Sequence, residues 1–303
     1  MSISDLYDEL RPQAFAVAYR MLGSASEAED VVQEAFLRMH DVLQRDELVI
    51  ESPPAYLTTL VTRLAIDQLR SARSRREGYV GEWLPEPIAT ESNPAEQTES
   101  SDSLSLAFLV LLERLTPQQR AAFLLREVFE YPYVEVAEII GTDVDSTRHL
   151  VARARRHLRE GRPRHVASAQ EREALALRFV AAAQHGDLPA LEELLMKDVV
   201  MRIDGGGKVP AQAQPVNGRA RVARALSIGL PLLASAGVRI ELAEVNGEPG
   251  ALALDATGLV VAALGLDVAG TQVQGVYIVV NPEKLRHLGP TGDLAALVRR
   301  RRL

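Results

Sequence analysis

The stretch VEVAEIIGTDVDSTRHLVARARRHL, residues 134–158, decides the fold in the middle of the chain. Apolar residues recur at helical spacing on both sides of Gly141, and Asp143 is a suitable N-cap for a second helix that begins at Val144. Two helices, a short turn with a glycine and a basic second helix predict a helix-turn-helix motif, although basic helical hairpins also occur without DNA. The candidate DNA contacts are Ser146, Arg148, His149, Arg153 and Arg156.

Residues 1–77 have a helical pattern throughout. Gly23 ends the first predicted helix, and SEAE, residues 26–29, fits a capping box that begins the second. The inward face of this second helix consists of Ala28, Val31, Val32, Ala35 and Met39. Its opposite stripe consists of Asp30, Gln33, Glu34 and Leu37. A leucine among carboxylates favours a partner-binding surface, while a single exposed leucine is also common on ordinary surfaces.

The segment AYLTTLVTRLAIDQLRSARSRRE, residues 55–77, predicts a further helix with a basic outer face. Its inward positions are Leu57, Leu60, Val61 and Leu64. Arg63, Asp67 and Arg70 lie on the opposite face, which Arg73, Arg75 and Arg76 extend. Taken alone, such a face is explained by solvation and by compensation of the helix dipole.

Residues 78–103 differ in composition, with six acidic residues, no basic ones, and several prolines and serines. This composition predicts a flexible acidic linker. Within it WLPEP, residues 83–87, holds the only tryptophan of the chain. An aromatic residue in a solvated linker is expected to dock on another part of the protein, or to fold back on its neighbours.

The rest of the chain alternates between helical and strand patterns. Helices are predicted at about 171–185, 188–196 and 219–235. Strands are predicted at 198–203, 237–245, 250–256, 258–267 and 271–281. Helices before a meander of antiparallel strands indicate an α+β domain, whose sheet either holds a small molecule or packs shut on its helices. Residues 291–303, which end in RRRRL, are predicted to be a basic tail.

The loop DGGGK, residues 204–208, resembles a phosphate cradle at first sight. A phosphate loop needs spaced glycines, a Lys-Ser/Thr pair and a following helix, whereas Val209 and Pro210 follow here. The nucleotide-binding interpretation is therefore set aside. The loop is either a hinge or contact surface, because adjacent glycines permit close backbone approach, or a plain flexible connector.

Composition excludes several classes of protein. A chain of 303 residues predicts two or three domains, and the absence of cysteine excludes disulfides and thiolate metal sites. The six histidines lack metal-ligand spacing, so neither a metal nor another cofactor is inferred. A net charge of -7 argues against a wholly basic nucleic-acid binder. With no signal peptide and no long apolar run, we expect a cytoplasmic protein without membrane contact.

Three ordered motifs resemble a known family. EDVVQEAFLRMHD, AYLTTLVTRLAIDQLR and the helix-turn-helix are similar to those of the extracytoplasmic-function (group IV, sigma-70 family) sigma factors of bacterial RNA polymerase. The remainder, with WLPEP, DGGGK and NPEKLRHL, residues 281–288, resembles the subgroup with a fused SnoaL-like domain. The resemblance implies a multidomain protein with two all-α sigma domains, an N-terminal helical bundle and a helix-turn-helix domain, followed by a cone-shaped α+β SnoaL-like domain. The implied boundaries are 1–77, 78–103 for the linker, 104–162, 169–290 and 291–303 for the tail.

The resemblance also implies roles for individual residues. Promoter recognition would involve the β′ clamp and β flap of RNA polymerase core and the -10 and -35 elements of promoter DNA. The implied polymerase contacts are Asp30, Gln33, Glu34, Phe36 and Leu37, of which periodicity allows Phe36 to be half buried. Arg63, Asp67, Arg70 and Arg73 would meet the -10 element, and the candidate contacts of the helix-turn-helix would meet the -35 element. The family commonly has an asparagine where this chain has Arg63, which leaves the base preference open.

The fused domain is expected to regulate the sigma domains through contacts within the chain. The implied contact residues are Trp83, Leu84, Pro85, Asp204, Gly205, Gly206, Gly207, Lys208, Asn281, Pro282, Lys284 and Leu285. NPEKLRHL either locks the domain against its neighbours or only caps a C-terminal helix. Two other functions remain open, a helix-turn-helix regulator with a ligand-sensing domain, and a SnoaL-like enzyme that uses Asp204 or Asp255 in acid-base catalysis. The enzyme is disfavoured, because no paired-carboxylate or His-Asp constellation is apparent.

Overall fold

The structure is a computed structural model that describes residues 3–44, 50–76, 78–90, 103–159 and 167–299. Its contacts divide the chain into two compact units. The first combines Met1–Glu77 with Leu111–Arg162, and the second combines Gly78–Val110 with Pro163–Leu303. The predicted fold class, two all-α domains followed by an α+β domain, is confirmed.

The first unit consists of helices. They are α1 (Ile3–Leu22), α2 (Ala25–Gln44), α3 (Pro53–Arg76), α5 (Pro117–Glu127), α6 (Tyr133–Ile140) and α7 (Val144–Arg159). Helix α4 spans Leu106–Leu112, and only its last two residues belong to this unit. The first three pack against one another, and α5, α6 and α7 form a second group that also contacts α1 and α3. Arg120 of α5, 2 % exposed, joins the two groups because its guanidinium donates to Met21 O at 2.6 Å and to Leu112 O at 3.1 Å.

The helix ends follow from local hydrogen bonds. Thr116 and Gln119 form a capping box at the start of α5. Gly141, with φ 72°, ends α6 in the left-handed conformation that glycine adopts without strain. The predicted cap of α2 was two residues late, since Ser24 Oγ accepts from Glu27 N at 3.1 Å. The sequence allows a capping box at either serine, because Ser24 and Ser26 each precede a glutamate by three positions.

The second unit is built around one mixed sheet. Its elements after α4 are α8 (Ala169–His185), α9 (Leu188–Leu194), β1 (Leu195–Asp204), β2 (Val216–Asn217), α10 (Arg219–Ser235), β3 (Arg239–Val245), β4 (Glu248–Leu254), β5 (Val260–Ala269), β6 (Gln272–Val279), α11 (Pro282–Leu285), a 3-10 turn (Arg286–Leu288) and α12 (Leu294–Arg299). The strand order is β2-β1-β6-β5-β4-β3, with β1 parallel to β6 and the other pairs antiparallel. The predicted meander is therefore present, and β1 joins it beside the last strand.

Apolar side chains cover both faces of this sheet. One face packs on α8, α9 and α10 through a core that includes Phe179, Leu191 and Leu226. Another cluster joins Leu84, which precedes the sheet by more than a hundred residues, to Val279 of β6 and Leu285 of α11. Leu84 is 0 % exposed. A segment far away in sequence thus contributes to the core of this unit.

Two predictions from composition differ from the structure. Residues 78–90 pack in the second unit, with Leu84 to Pro87 buried, while residues 91–102 of the predicted flexible linker lie outside the described residues. The start of the predicted tail is ordered, because α12 places Leu294, 5 % exposed, in a core with Val261 and Val280. Composition failed in both places because a few buried apolar side chains outweigh the polar residues around them.

Residues 104–110 also group with the second unit, although 104–162 was expected to be one helical domain. The carbonyl of Leu104 accepts from Asn246 Nδ2 at 3.0 Å, and Leu106 packs over Gly265. A Cβ at Gly265 would lie 2.7 Å from Leu106 Cδ1, so only a glycine permits this contact without a shift.

Candidate functional site

The helix-turn-helix begins its second helix with a carboxylate cap. Asp143 accepts from Ser146 N at 2.8 Å and from Ser146 Oγ at 2.7 Å. The backbone and hydroxyl hydrogen bonds from Ser146 lower the pKa of Asp143 below its ordinary value. The hydroxyl of Ser146 therefore supports the cap with its hydrogen and keeps its oxygen lone pairs as acceptors.

The other candidate DNA contacts of α7 are all on the solvent side. Arg148, His149, Arg153 and Arg156 are exposed, whereas the inward positions Val151, Ala154 and Leu158 are buried. Thr147 is 0 % exposed, and its hydroxyl donates to Asp143 O at 2.9 Å. The chain thus presents one basic face on a helix fixed by its cap and its apolar face.

The candidate polymerase surface of α2 divides into exposed and buried members. Asp30, Gln33, Glu34 and Leu37 are exposed, and Leu37 is 62 % exposed. Phe36 differs, since it is 6 % exposed and its ring lies 4.7 Å from that of Tyr7 between centroids. Its side chain therefore supports the packing of α2 on α1 and is not presented to a partner.

The candidate DNA face of α3 is exposed at Arg63, Asp67 and Arg70, and Arg70 pairs with Asp67 at 3.2 Å. The side chain of Arg73 lies outside the described residues. Arg63 has contacts that its sequence did not predict, because Nε donates to Ile139 O and Nη2 to Glu138 O, each at 2.9 Å. These are carbonyls of the last turn of α6, where a helix has unsatisfied acceptors and a negative dipole end.

Arg63 lines a groove of about 480 Å³ between α3 and α6. The other residues that line it include Tyr56, Thr59, Tyr131, Glu135 and Glu138. Near it, the hydroxyls of Thr58 and Tyr131 lie 3.2 Å apart. Arg63 and this hydroxyl pair therefore hold the -10 candidate face of α3 against the helix-turn-helix group within the first unit.

In the second unit, the regulatory candidates converge on one buried carboxylate. Asp204 ends β1 and is 0 % exposed. Its Oδ1 accepts from Tyr79 Oη at 2.6 Å and from Gly206 N at 3.0 Å, while Oδ2 accepts from Leu84 N at 2.8 Å. Buried polar atoms need hydrogen-bond partners, and these three donors satisfy both oxygens of Asp204.

Lys284 supplies the positive charge that this carboxylate requires. Its Nζ lies 2.7 Å from Asp204 Oδ2, also donates to Leu84 O, and is 4.1 Å from the centroid of the Trp83 ring and 4.9 Å from that of Tyr79. The Lys284 side chain is 9 % exposed. The WLPEP segment is thus held by its backbone, which binds both charges, and by an aromatic face over the ammonium group.

The DGGGK loop approaches NPEKLRHL closely. Asn281 caps α11 by accepting from Glu283 N at 3.1 Å, and its Nδ2 donates to Tyr79 Oη at 2.9 Å. Gly206 has φ 58°, and a Cβ there would lie 2.3 Å from Asn281 Nδ2. Lys208 forms an exposed ion pair with Glu283, whose pKa it lowers by hydrogen bonding. The DGGGK loop therefore contacts Asn281, Glu283 and the segment around Tyr79 within the second unit. Its role in regulation stays a prediction.

The remaining regulatory candidates lie around this network. Leu84 and Pro85 are buried, Leu285 packs in the same cluster as Leu84, and Pro282 is half-buried at the start of α11. Gly205 is also buried, and a Cβ there would lie 2.4 Å from Val209 O. Gly207 has φ 70° and lies against Val80. All twelve candidates therefore belong to one region of the second unit.

A second contact holds the segment that follows WLPEP. Asn246 N donates to Ile88 O at 2.9 Å, and Thr90 N donates to Glu244 O at 3.1 Å. Residues 88–90 therefore extend the sheet at the outer edge of β3. Side chains support this pairing, because Ile88 N donates to Asn246 Oδ1 and Gly247 N donates to Thr90 Oγ1, each at 3.0 Å.

Three members of the network were missed from the sequence. Tyr79 bridges Asp204 and Asn281, Arg202 pairs with Glu82, and His287 contacts Pro87 O. Burial, together with the hydrogen bond to Asp204, raises the pKa of the Tyr79 hydroxyl above its ordinary value. A tyrosine close to the tryptophan in an acidic linker was the available signal for Tyr79, whereas Arg202 and His287 have no such pattern.

The part of the chain that the structure describes contains no cluster of three or more histidine, aspartate or glutamate side chains that could hold a metal ion. Within the same residues, no helix combines the length and the apolar character that crossing a membrane requires.

The two candidate acid-base carboxylates have different partners. Asp204 pairs with Lys284. Asp255 is held by its own turn, where it accepts from Thr257 N at 2.8 Å and Leu259 N at 3.0 Å. The hydrogen bond from the Thr257 hydroxyl at 2.7 Å, followed by that from Leu259 N, lowers the pKa of Asp255.

Comparisons with known proteins cover the chain almost completely. Residues 6–75 match the family model of Sigma-70 region 2, and residues 105–158 match that of Sigma-70 region 4. The ECF RNA polymerase sigma factor SigJ of Mycobacterium tuberculosis is 35% identical over 312 residues, which cover 96% of this chain and 98% of that protein. A probable ECF RNA polymerase sigma factor, SigI of the same species, is 35% identical over 62% of this chain and 65% of its own length. The crystal structure of SigJ superposes with a TM-score of 0.75 at 33% identity and covers 95% of this chain and 100% of SigJ.

Proposed function

Because the chain belongs to the ECF RNA polymerase sigma factors, we propose that α2 binds the polymerase core, α3 reads the -10 element and α7 reads the -35 element of a promoter. Like the other members of its family, the chain directs RNA polymerase to promoters and initiates transcription. The proposal assigns that function to surfaces and adds a regulatory role for the second unit.

Polymerase binding is proposed for the exposed stripe of α2, with the β′ clamp as its partner and the β flap as the partner of the helix-turn-helix group. Leu37 would supply the apolar contact in the middle, while Asp30 and Glu34 would supply charge around it. Glu34 forms an exposed ion pair with Arg38 at 2.7 Å, one turn later on the helix. Exposed ion pairs contribute little free energy, so Glu34 can leave Arg38 to contact a partner at a small cost. A helix-turn-helix regulator with a ligand-sensing domain would not need this surface.

DNA binding is proposed for the basic faces of α3 and α7. Cations on both faces neutralise phosphates and release counterions, so affinity should fall as salt rises. Arg63 uses Nε and Nη2 to bind the carbonyls of Ile139 and Glu138. If the -10 element takes these same donors, α3 has to separate from α6 at this point, and the sigma factor shifts from the packed arrangement toward an open one.

Regulation in cis is proposed for the second unit, and the Lys284–Asp204 ion pair is the observation that carries it. Both charges bind the backbone of Leu84, so the domain holds the segment that joins the two helical parts of the sigma factor. A domain that fixes this segment restricts where the helical parts can go. The same engagement of Asp204 argues against acid-base catalysis in this domain, and we propose that the chain acts without catalysis.

Promoter-dependent transcription with purified core polymerase tests the proposal. A full-length variant with both Asp204→Asn and Lys284→Met lacks the two charges and keeps similar side-chain volumes. Lys208→Met is the matched control, because it removes the charge of an exposed lysine in the same region. We expect the double variant to change promoter-dependent transcription and the control to match the wild type. Equal transcription by all three would contradict regulation through this network, whereas failure of the wild type on every promoter would contradict the assignment of surfaces.

A further inference from the structure

Tyr133, the first residue of α6, lies beneath two guanidinium groups. The Arg126 Cζ is 4.9 Å from the centroid of its ring, and the Arg148 Cζ is 5.8 Å from it. Arg126 comes from α5 and Arg148 from α7, so one half-buried ring connects all three helices of the helix-turn-helix group. A guanidinium within about 6 Å of an aromatic centroid is attracted by the negative face of the ring.

The ring is itself held in place. Arg126 donates through Nη1 to the carbonyl of Tyr131 at 3.1 Å, which fixes its guanidinium to the loop immediately before Tyr133. The backbone of Tyr133 belongs to α6, whose Val136, Ala137, Ile139 and Ile140 are buried. Tyr133 therefore offers Arg148 a surface whose position is set by packing and not by its own flexibility.

Arg148 is also restrained by an ion pair. Its Nη1 lies 2.8 Å from Asp145 Oδ1, one turn earlier on α7. The Arg148 side chain is nevertheless 61% exposed. A long side chain loses rotamer freedom when it binds, and restraint in the free state lowers that cost.

We propose that Tyr133 is a positioning residue for base reading by Arg148. This inference rests on the proposed role of α7 in reading the -35 element, and it adds a residue outside the second helix to the set that determines promoter specificity. Arginine reads guanine through two parallel hydrogen bonds, and such a contact depends on the orientation of the guanidinium plane. The ring of Tyr133 and the carboxylate of Asp145 together restrict that plane.

The test compares two substitutions that separate the ring from the hydroxyl. Tyr133→Phe keeps the aromatic face, whereas Tyr133→Leu removes it and keeps an apolar side chain of moderate size. Val134→Ala is the matched control, because Val134 is the next residue of α6 and is 57% exposed. Each full-length variant is combined with polymerase core, and binding is measured on a panel of promoter fragments with every single base-pair change in the -35 element, at several salt concentrations.

We expect Tyr133→Leu to reduce the preference for the best base pair at one -35 position by about two- to fivefold, and to leave the other positions and the salt slope unchanged. Tyr133→Phe and Val134→Ala should match the wild type. In an Arg148→Ala background, Tyr133→Leu should have no further effect on that preference, because residues that act through one another are not additive.

Four results would overturn the inference. A uniform loss across all -35 variants would indicate a structural role, an equal loss in Tyr133→Phe would indicate a direct phosphate contact by the hydroxyl, and additivity with Arg148→Ala would indicate independent action. If Arg148→Ala itself changes no base preference, the proposed reading of the -35 element by Arg148 fails and the positioning role fails with it. Additivity in the presence of a working Arg148 contact overturns the positioning role alone.

Discussion

Lys284 and Asp204 form a buried ion pair, with Nζ 2.7 Å from Oδ2 and side chains that are 9% and 0% exposed. Removing one member of such a pair leaves an uncompensated charge in a medium that solvates it poorly. The pair holds the amide and the carbonyl of Leu84, a residue 200 positions before Lys284, and so connects the integrity of the second unit to the segment between the helical parts.

Lys284→Met should destabilise the second unit by roughly 3–5 kcal/mol, because Asp204 stays buried and loses its countercharge. The measurement is hydrogen exchange at the Leu84 amide, which donates to Asp204 and should exchange much faster in the variant. Lys208→Met is the control, since the pair of Lys208 with Glu283 is exposed and such pairs contribute less than about 1 kcal/mol. Equal exchange in the two variants would show that the buried pair does not hold this segment.

Gly206→Ala should be more disruptive than the same change at Gly258. Both glycines have positive φ, 58° and 86°, so both substitutions cause similar backbone strain. A Cβ at Gly206 would also lie 2.3 Å from Asn281 Nδ2, whereas nothing lies within 4 Å of one at Gly258. The difference between the two unfolding free energies therefore isolates the close approach of the DGGGK loop to Asn281. Equal losses would mean that strain alone explains the glycines.

Stability of the second unit should fall in alkaline solution through Tyr79. Its pKa is raised from the ordinary value of 10.0 by burial first and by the hydrogen bond to Asp204 second. Because the folded state holds this proton more tightly than the unfolded state, the contribution is complete below about pH 10 and is lost as the pH rises above it. Denaturant titrations of the wild type and Tyr79→Phe should differ in slope against pH only in that alkaline range. Parallel profiles throughout would contradict the prediction.

Phe36→Ala and Leu37→Ala should separate folding from partner binding. Phe36 is 6% exposed, and its truncation should cost about 3–5 kcal/mol of stability. Leu37 is 62% exposed, so Leu37→Ala should leave stability within about 0.5 kcal/mol and weaken binding to polymerase core roughly tenfold. Thermal unfolding and titration with core polymerase measure the two effects. A Leu37→Ala variant that binds core normally would remove α2 from the proposed interface.

Arg63→Asn should loosen the packing of α3 on α6, because an asparagine is too short to reach the carbonyls that Arg63 binds at 2.9 Å. The chain has no cysteine, so spin labels can be attached to two introduced cysteines. Suitable positions are Ser71→Cys near the end of α3 and Ala152→Cys on α7. The distance distribution between them should broaden in the Arg63→Asn variant without DNA. Arg63→Lys, which keeps the charge but loses the paired geometry, should show an intermediate width. An unchanged distribution would mean that other contacts hold the packed arrangement.

The periodic parts of the chain were predictable from their residues. Helix α10 has the predicted extent, α7 begins at the predicted Val144, and the inward and outward faces of α2 are as their spacing indicated, because a buried stripe imposes a period of 3.6 on any helix. Phe36 marks the limit of that reasoning. It lies beside the exposed stripe in the periodic pattern, and only the position of Tyr7 on α1 decides that it is buried.

Non-local contacts were the part that spacing could not predict. Residues 78–90 have the composition of a linker, yet Leu84 is fully buried, and the partners of Asp204 come from positions 79, 84, 206 and 284. Arg63 was expected on a free DNA face and is bound to α6. No local pattern encodes which of many compatible acceptors a long cationic side chain will reach.

The sequence by itself determined most helical and strand segments and the chemistry of the exposed faces, because these depend on residue type and on short-range periodicity. The family followed from the resemblance of three ordered motifs to known ones. The tertiary structure alone decided which charges meet. The ion pair of Lys284 with Asp204 and the bonds of Arg63 to α6 join residues separated by 80 and by at least 75 positions. Desolvation makes such pairs depend on the whole packed environment, and this environment exists only after the chain has folded.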